Sequence, residues 1–368
     1  MAYYTMFVST VAIVLLSLVA AAVIPVNDLP KLRLEVQGHR GGVGLRPEET
    51  LWAFAYGMEV GLDVLEMDMV FTKDEVPVLW HDHYIDALKC ADTSGNFVGE
   101  FIANLTLAEV KTLDCGSRQL PGMPQQEVHP GATIATLEEV LNLVDCYGDK
   151  AVRINLETKL SPLRPNETLS IDTYINSPRF LPFLEKRGYL NRVTIESFDW
   201  RTLVRIKEKW GKKVTTVALI RDTTMIKVDG VYPWLGGTNL DDFNGSYIAA
   251  AHSIHASVIS PVSGLNGTVN DPSYVPFTTK ATVEEAHKLG MKMLPWTVDD
   301  ESSISAMLTL GVDGIISNYP ERVLWVARQR GMIAGKTRMT SRPECLQNAS
   351  MPRSQLNPSS TPILMTNP

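Results

Sequence analysis

From about residue 30 onward, short apolar runs alternate with stretches whose apolar residues recur every three or four positions. Leu51, Phe54, Ala55 and Met58 fall on one helical face, and Gly61 stands where that helix should stop. Thr106 with Glu109, and Thr136 with Glu139, have the spacing of a capping box, in which the hydroxyl and the carboxylate each satisfy an unpaired backbone N–H. Leu137, Val140, Leu141 and Val144 then share a face. Further helical patterns cover Trp200–Trp210, Thr282–Leu289 and Glu301–Leu310. Strands are predicted over Glu35–His39, Asp63–Phe71, Ala151–Glu157, Arg192–Ser197, Lys213–Leu219, Ala256–Ser260, Lys292–Val298 and Asp313–Ser317. Strands alternating with helices imply a parallel sheet. Eight such units predict an α/β fold of the TIM-type (β/α)8 barrel class over residues 31–335. No G-x-G-x-x-G follows the first strand, which argues against an open dinucleotide-binding sheet.

The chain before the barrel is different. Met6–Val26 is apolar apart from Ser9, Thr10 and Ser17, and Ala20, Ala21 and Ala22 supply small residues near its end. Residues 1–24 are therefore expected to be a cleaved signal peptide, or a membrane anchor if uncleaved. After Gly335 the chain is rich in Ser, Pro, Asn and Thr, and residues 336–368 are expected to form a flexible tail.

Composition adds three constraints. The 368 residues are 45% hydrophobic and 20% charged, as in an ordinary globular protein. A net charge of −7 with no basic run gives no electrostatic footprint for nucleic acid, and no obligate protein partner is inferred. Glycosylation sequons begin at Asn104, Asn166, Asn244, Asn266 and Asn348; behind an apolar leader, they point to export and a secreted protein. Cys90, Cys115, Cys146 and Cys345 are an even set, compatible with two disulfides in an oxidising compartment, and their spacing is not that of a zinc site.

The candidate chemistry lies at predicted strand ends, where a barrel of this class carries its active site. Gly38-His-Arg-Gly-Gly leaves the first strand with an imidazole, His39, beside a guanidinium, Arg40. Glu66 and Asp68 are two apart on a strand and so point the same way. Two inward carboxylates are costly unless something positive meets them, and a divalent cation is the natural partner. Oxygen ligands favour Ca²⁺ or Mg²⁺ over Zn²⁺. Glu157 and Lys159 repeat the spacing at another strand end. Ion pairing of these acids with Arg40 and Lys159 is the plainer alternative.

These segments resemble the glycerophosphodiester phosphodiesterase family, in particular its bacterial periplasmic and fungal branch. The resemblance runs through His39-Arg40-Gly41, Pro47-Glu48, Leu65-Glu66-Met67-Asp68, Thr72-Lys73-Asp74, His81-Asp82-His83, Leu156-Glu157-Thr158-Lys159, Ser197-Phe198, Trp296-Thr297-Val298 and Gly314-Ile315-Ile316. It implies an enzyme that hydrolyses small glycerophosphodiesters with the help of a divalent cation. It implies Glu66, Asp68 and Glu157 as metal ligands and His39 and His81 as the acid–base pair. Arg40 and Lys159 would lie near the phosphate, and Trp296 would form a pocket wall. It also implies a cyclic phosphate made by attack of the glycerol 2-hydroxyl, then opened by water.

The chain departs from the family pattern at four positions. Glu49 stands where Asn is usual, Glu75 where Gly is common, Thr158 where an apolar residue is frequent, and Asn318 where Asp is common. Two other functions compete. One is a phospholipase-D-like lyase acting on lysophospholipids or sphingolipids, which should show an apolar patch beside the pocket. The other is a non-catalytic barrel that only binds.

Overall fold

The computed structural model describes residues 32–92, 96–339 and 343. The expected leader and most of the expected tail, including Cys345 and Asn348, lie outside the described residues.

Eight parallel strands form the barrel among the described residues. They are β1 Arg33–Gly38, β2 Val64–Phe71, β3 Arg153–Thr158, β4 Val193–Ser197, β5 Thr215–Ile220, β6 Val258–Pro261, β7 Lys292–Met293 and β8 Gly314–Ser317. Hydrogen-bonded neighbours run β7-β6-β5-β4-β3-β2-β1-β8. Each expected strand is present within a few residues of its expected bounds. The largest difference is β7, which shrinks from seven expected residues to two. Pro295 offers no N–H and interrupts the ladder there. Single backbone bonds from Asp313 to Met293 (3.0 Å), Ile316 to Pro295 (3.1 Å) and Val298 to Ile316 (3.1 Å) bring β7 and β8 together at the seam.

The helices begin and end for local reasons. Thr50 caps Leu51–Val60 by accepting from the Ala53 N–H, and Gly61 ends it at φ 82°. Both expected capping boxes form, at Thr106/Glu109 and Thr136/Glu139. Trp200–Trp210 and Glu301–Leu310 match the expected spans, and the remaining one runs Lys280–Lys288.

Strand alternation divides the interior in two. Leu34, Val36, Leu65, Met67, Met69, Ile154, Leu156 and Ile195 belong to the main apolar core, packed with the helices. The alternate residues face the lumen. There Asn155 donates to Gln37 (3.0 Å) and to Glu196 (2.6 Å), and Thr194 donates to Asn155 (2.6 Å). The lumen is thus a hydrogen-bonded polar layer, which anchors the carboxylates above it.

The long connection after β2 builds a second, smaller core from Val78, Trp80, Ile85, Ile102, Val110, Leu113 and Ile134. It opens with Pro77–Leu79, antiparallel to β2, and is pinned by a Cys90–Cys115 disulfide. Cys146 is also disulfide-bonded. Residues 336–339, the start of the expected tail, hydrogen-bond to the barrel: Lys336 N–H to Gly61 and Met339 N–H to Glu59.

Candidate active site

The end of β1 turns sharply into the site. His39–Gly41 is a single 3₁₀ turn, with Arg40 in the left-handed region at φ 51°. That twist sends the Arg40 N–H to Glu66 Oε2, 2.7 Å away. Gly41 must follow, because a Cβ there would lie 2.7 Å from the Ala53 backbone.

Register then assembles the acids. Asp68 on β2 pairs with Glu157 on β3, which pairs with Glu196 on β4, so three carboxyls lie side by side in one row. Lys159, just beyond β3, places Nζ 3.1 Å from Glu157 Oε1 and 3.5 Å from Asp68 Oδ1. Arg40 pairs with Glu48 at 2.9 Å and lies 3.2 Å from Asp68 Oδ2. The expected ion pairs therefore exist, but they do not balance the charge. Glu48, Glu49, Glu66, Asp68, Glu157 and Glu196 are all buried here, against Arg40, Lys159 and Lys89.

The electrostatics express that surplus. Burial, then the Asp68 charge and the Glu196 charge, push Glu66 well above the usual carboxylate range. Burial and Asp68 do the same to Glu157, against the pull of Lys159. Glu196 is raised to about 8 by burial and then Asp68. Burial would also raise Asp68, but Lys159, the imidazoles and Arg40 hold it well below the usual range. Burial opposes the charge on Lys159 too, yet Asp68 and Glu157 outweigh it and hold the ammonium above its ordinary value.

Both histidines have Nδ1 engaged. His39 Nδ1 lies 2.6 Å from Asn318 Oδ1, and His81 Nδ1 lies 2.9 Å from Asp82 Oδ1. Each acceptor calls for N–H at Nδ1, leaving Nε2 as the acceptor for an incoming proton. Burial, then Arg40, lowers His39 to about 3. Burial, then Lys159 and Arg40, lowers His81 to about 4, with Asp68 and Asp82 opposing. Trp296 follows β7 at the mouth, half-buried, with Nε1–H donated to Ser260 O (2.9 Å) and its ring edge-on to Phe198 (5.4 Å).

The mouth thus gathers His39, Arg40, Glu66, Asp68, His81, Glu157 and Lys159 into one interacting cluster, with Trp296 on its rim. As the side chains stand, no three His, Cys, Asp or Glu residues among those described enclose an ion. The donor chemistry nevertheless fits a hard divalent cation. The carboxyls outnumber the cations, and the buried Asp68 Oδ2 accepts no hydrogen bond, its contact with Arg40 Nε being off-angle.

Several site residues were not legible in the sequence. Glu196 belongs to the acidic row, and only the β3–β4 register reveals it. Asp82 and Lys89 support His81, and Asp299 supports Asn318 by accepting from its Nδ2–H at 2.7 Å. Two of the departures take physical form. Glu49 and Glu75 both adopt left-handed backbone, φ 58° and 57°, where Asn and Gly are the easier residues. Glu49 Oε1 also accepts the Asp68 N–H (2.8 Å), bringing another carboxyl into the site.

Residues 39–322 match the model of a family described as the glycerophosphoryl diester phosphodiesterases. A glycerophosphodiester phosphodiesterase of Caldanaerobacter subterraneus subsp. tengcongensis is 28% identical over 297 residues, which is 80% of this chain and 98% of that one. A crystal structure assigned to the same enzymes, from Silicibacter pomeroyi DSS-3, superposes with TM-score 0.69 at 28% identity, covering 83% of this chain and 96% of the other. The fold is shared by an Oleispira antarctica phosphodiesterase solved with sn-glycerol-3-phosphate as product, at TM-score 0.56, 22% identity, and 80% and 96% coverage.

Proposed function

Because this chain belongs to the glycerophosphoryl diester phosphodiesterase family, we propose that it hydrolyses glycerophosphodiesters, the deacylated phospholipids, to glycerol phosphate and an alcohol with His39 and His81 as its acid–base pair. The observation that carries this reading is the pair of imidazoles, each fixed through Nδ1, in electrostatic contact with Arg40, Lys159 and the acidic row.

In the first step the glycerol 2-hydroxyl attacks phosphorus. An O–P bond forms, the P–O bond to the alcohol breaks, and a five-membered cyclic phosphate results. His39, backed by the neutral Asn318 amide, takes the hydroxyl proton. His81 must enter this step as the imidazolium, which the Asp82 carboxylate favours: it keeps Nδ1–H on Asp82, gives its Nε2 proton to the leaving oxygen, and is left as the neutral Nδ1–H ring. In the second step water opens the ring and the two exchange roles. Arg40 and Lys159 face the non-bridging oxygens, where negative charge grows. Glu66, Asp68 and Glu157 would hold a divalent cation, Ca²⁺ or Mg²⁺, which supplies Lewis-acid stabilisation of that charge. Trp296 would wall the substrate pocket, beside Phe198.

The protein acts after export in this reading. The Cys90–Cys115 disulfide and the exposed sequon residues Asn104, Asn166, Asn244 and Asn266 support an oxidising, glycosylating route. A second substrate reading also has support. Leu163, Ile226, Val228, Val231 and Val275 are exposed on the loops after β3, β5 and β6, and an enzyme for a lysophospholipid needs exposed apolar side chains to meet the acyl chain.

The test is hydrolysis of glycerophosphocholine, glycerophosphoethanolamine, glycerophosphoinositol and lysophosphatidylcholine, with and without a chelator. The expected result is glycerol phosphate release from a deacylated diester, lost on chelation and restored by Ca²⁺ or Mg²⁺. His39→Ala and His81→Ala should each lose on the order of 10²- to 10⁴-fold in turnover while remaining folded. Undiminished turnover in fully chelated protein would refute the metal assignment, and near-normal turnover in either variant would remove that histidine from the chemistry.

A further inference from the structure

Lys89 belongs to none of the short motifs that carried the family resemblance, yet its ammonium sits between two carboxylates of the site. Nζ is 2.6 Å from Glu48 Oε1 and 2.5 Å from Asp82 Oδ2. The second oxygen of each carboxylate is also used. Glu48 Oε2 accepts from Arg40 Nη1 at 2.9 Å, and Asp82 Oδ1 holds His81 Nδ1 at 2.9 Å. A continuous chain of charge-assisted hydrogen bonds therefore runs Arg40, Glu48, Lys89, Asp82, His81, tying the loop after β1 to the loop after β2.

The surroundings hold Lys89 in place. Its side chain is 12% exposed. It packs over the Trp80 ring, 5.4 Å from the centroid. Its backbone N–H and that of Cys90 both close a turn onto Asp86 O. The next residue is Cys90, joined to Cys115. A flexible four-carbon stem has thus been anchored at its base by a covalent cross-link, which lowers the entropy lost in holding two partners at its tip.

We infer that Lys89 is a positioning residue for His81: it locks Asp82 in the rotamer that keeps the His81 proton on Nδ1 and its Nε2 toward the substrate, and it couples that geometry to Arg40. This rests on the acid–base role given to His81 above. Lys89 itself touches no reacting atom. Without it, Asp82 loses its other charged partner and can turn to water, and Glu48 keeps Arg40 alone.

The test uses the full-length protein with Lys89→Met, Lys89→Arg and His81→Ala. Lys89→Met should lower kcat on the order of 10- to 100-fold, less than loss of the acid–base group itself, with KM little changed. It should also move the His81 limb of the pH profile upward. The charged groups around His81 are Lys159 and Arg40, with the His39 ring, which oppose its protonation, and Asp68, Asp82 and Glu48, which favour it. Removing Lys89 leaves the Asp82 charge less neutralised. Lys89→Arg should recover most of the activity, since a guanidinium keeps the positive charge and can bridge two carboxylates. The ¹⁵N shifts of the His81 ring report its tautomer directly. They should show one Nδ1–H tautomer in the parent and Lys89→Arg, and a mixture in Lys89→Met.

Unchanged tautomer and pH profile in a folded Lys89→Met protein would overturn the inference while leaving the acid–base reading intact. Full turnover in His81→Ala would remove that reading, and the inference with it. Should Lys89→Met fail to fold, Lys89→Gln reads the same tautomer without the charge.

Discussion

The Asn318 position offers the sharpest test of how this site sets its working pH. His39 Nδ1 rests on a neutral amide oxygen, and burial followed by the Arg40 charge lowers the ring to about 3. Asn318→Asp places a negative charge where that amide oxygen stands. Two unit charges about 4 Å apart at an effective dielectric near 20 attract by about 4 kcal/mol. That corresponds to about three pKa units, which would bring His39 close to 6. Asp299 limits the gain. Its Oδ2 is 2.7 Å from Asn318 Nδ2, so the variant sets two carboxylates against each other, and a proton shared between them weakens the new charge. The expected rise is therefore between about one and about three units. The sign follows from the base role proposed for His39: a base works unprotonated, so a raised pKa moves the acid limb of kcat/KM to higher pH. The assay is the pH dependence of kcat/KM on the preferred diester, paired with ¹⁵N titration of His39. An acid limb superimposable on the parent's, in a folded and active variant, would show that the Asn318 contact does not govern His39.

Other expectations follow from the acidic row and the disulfide. Glu196 is raised to about 8 by burial and then by Asp68, so when folded it keeps a proton that the unfolded chain gives up near 4.5. Its contribution to stability is full at acid pH and is lost as pH rises through that window. Glu196→Gln keeps an acceptor for Asn155, so in chelator its urea midpoint should fall less than the parent's between about pH 5 and about pH 8. An equal fall in both proteins would argue that Glu196 ionises freely when folded. Cys90 and Cys115 are 25 residues apart in sequence. Replacing both with Ala should cost about 3.5 kcal/mol by loop entropy, read by urea denaturation, and an unchanged midpoint would contradict it.

Much of the fold was readable because barrel strands and their helices carry local signals. Apolar periodicity located all eight strands, and the Thr106 and Thr136 capping boxes and Gly61 marked helix ends through contacts made within one turn. Pro295 shortened β7 for an equally local reason, the missing N–H, although the apolar run around it reads as one strand. His39, Arg40, Glu66, Asp68, His81, Glu157 and Lys159 were legible because they sit at strand ends within recognisable segments, and the fold brings them to one mouth.

Periodicity and the family resemblance, both read along the chain alone, determined the barrel and pointed to the acids, imidazoles and cations that the fold gathers at one mouth. Only the folded chain decided which acid neighbours which. Glu196 joins Asp68 and Glu157 through the register of β2, β3 and β4, a pairing between residues more than thirty apart that leaves no local trace. The partners of the two imidazoles, Asn318 just beyond the neighbouring strand β8 and Asp82 braced by Lys89, were likewise set by packing. A hydrogen bond depends on where a side chain's tip arrives in space, and position along the chain constrains that only within a single turn or strand.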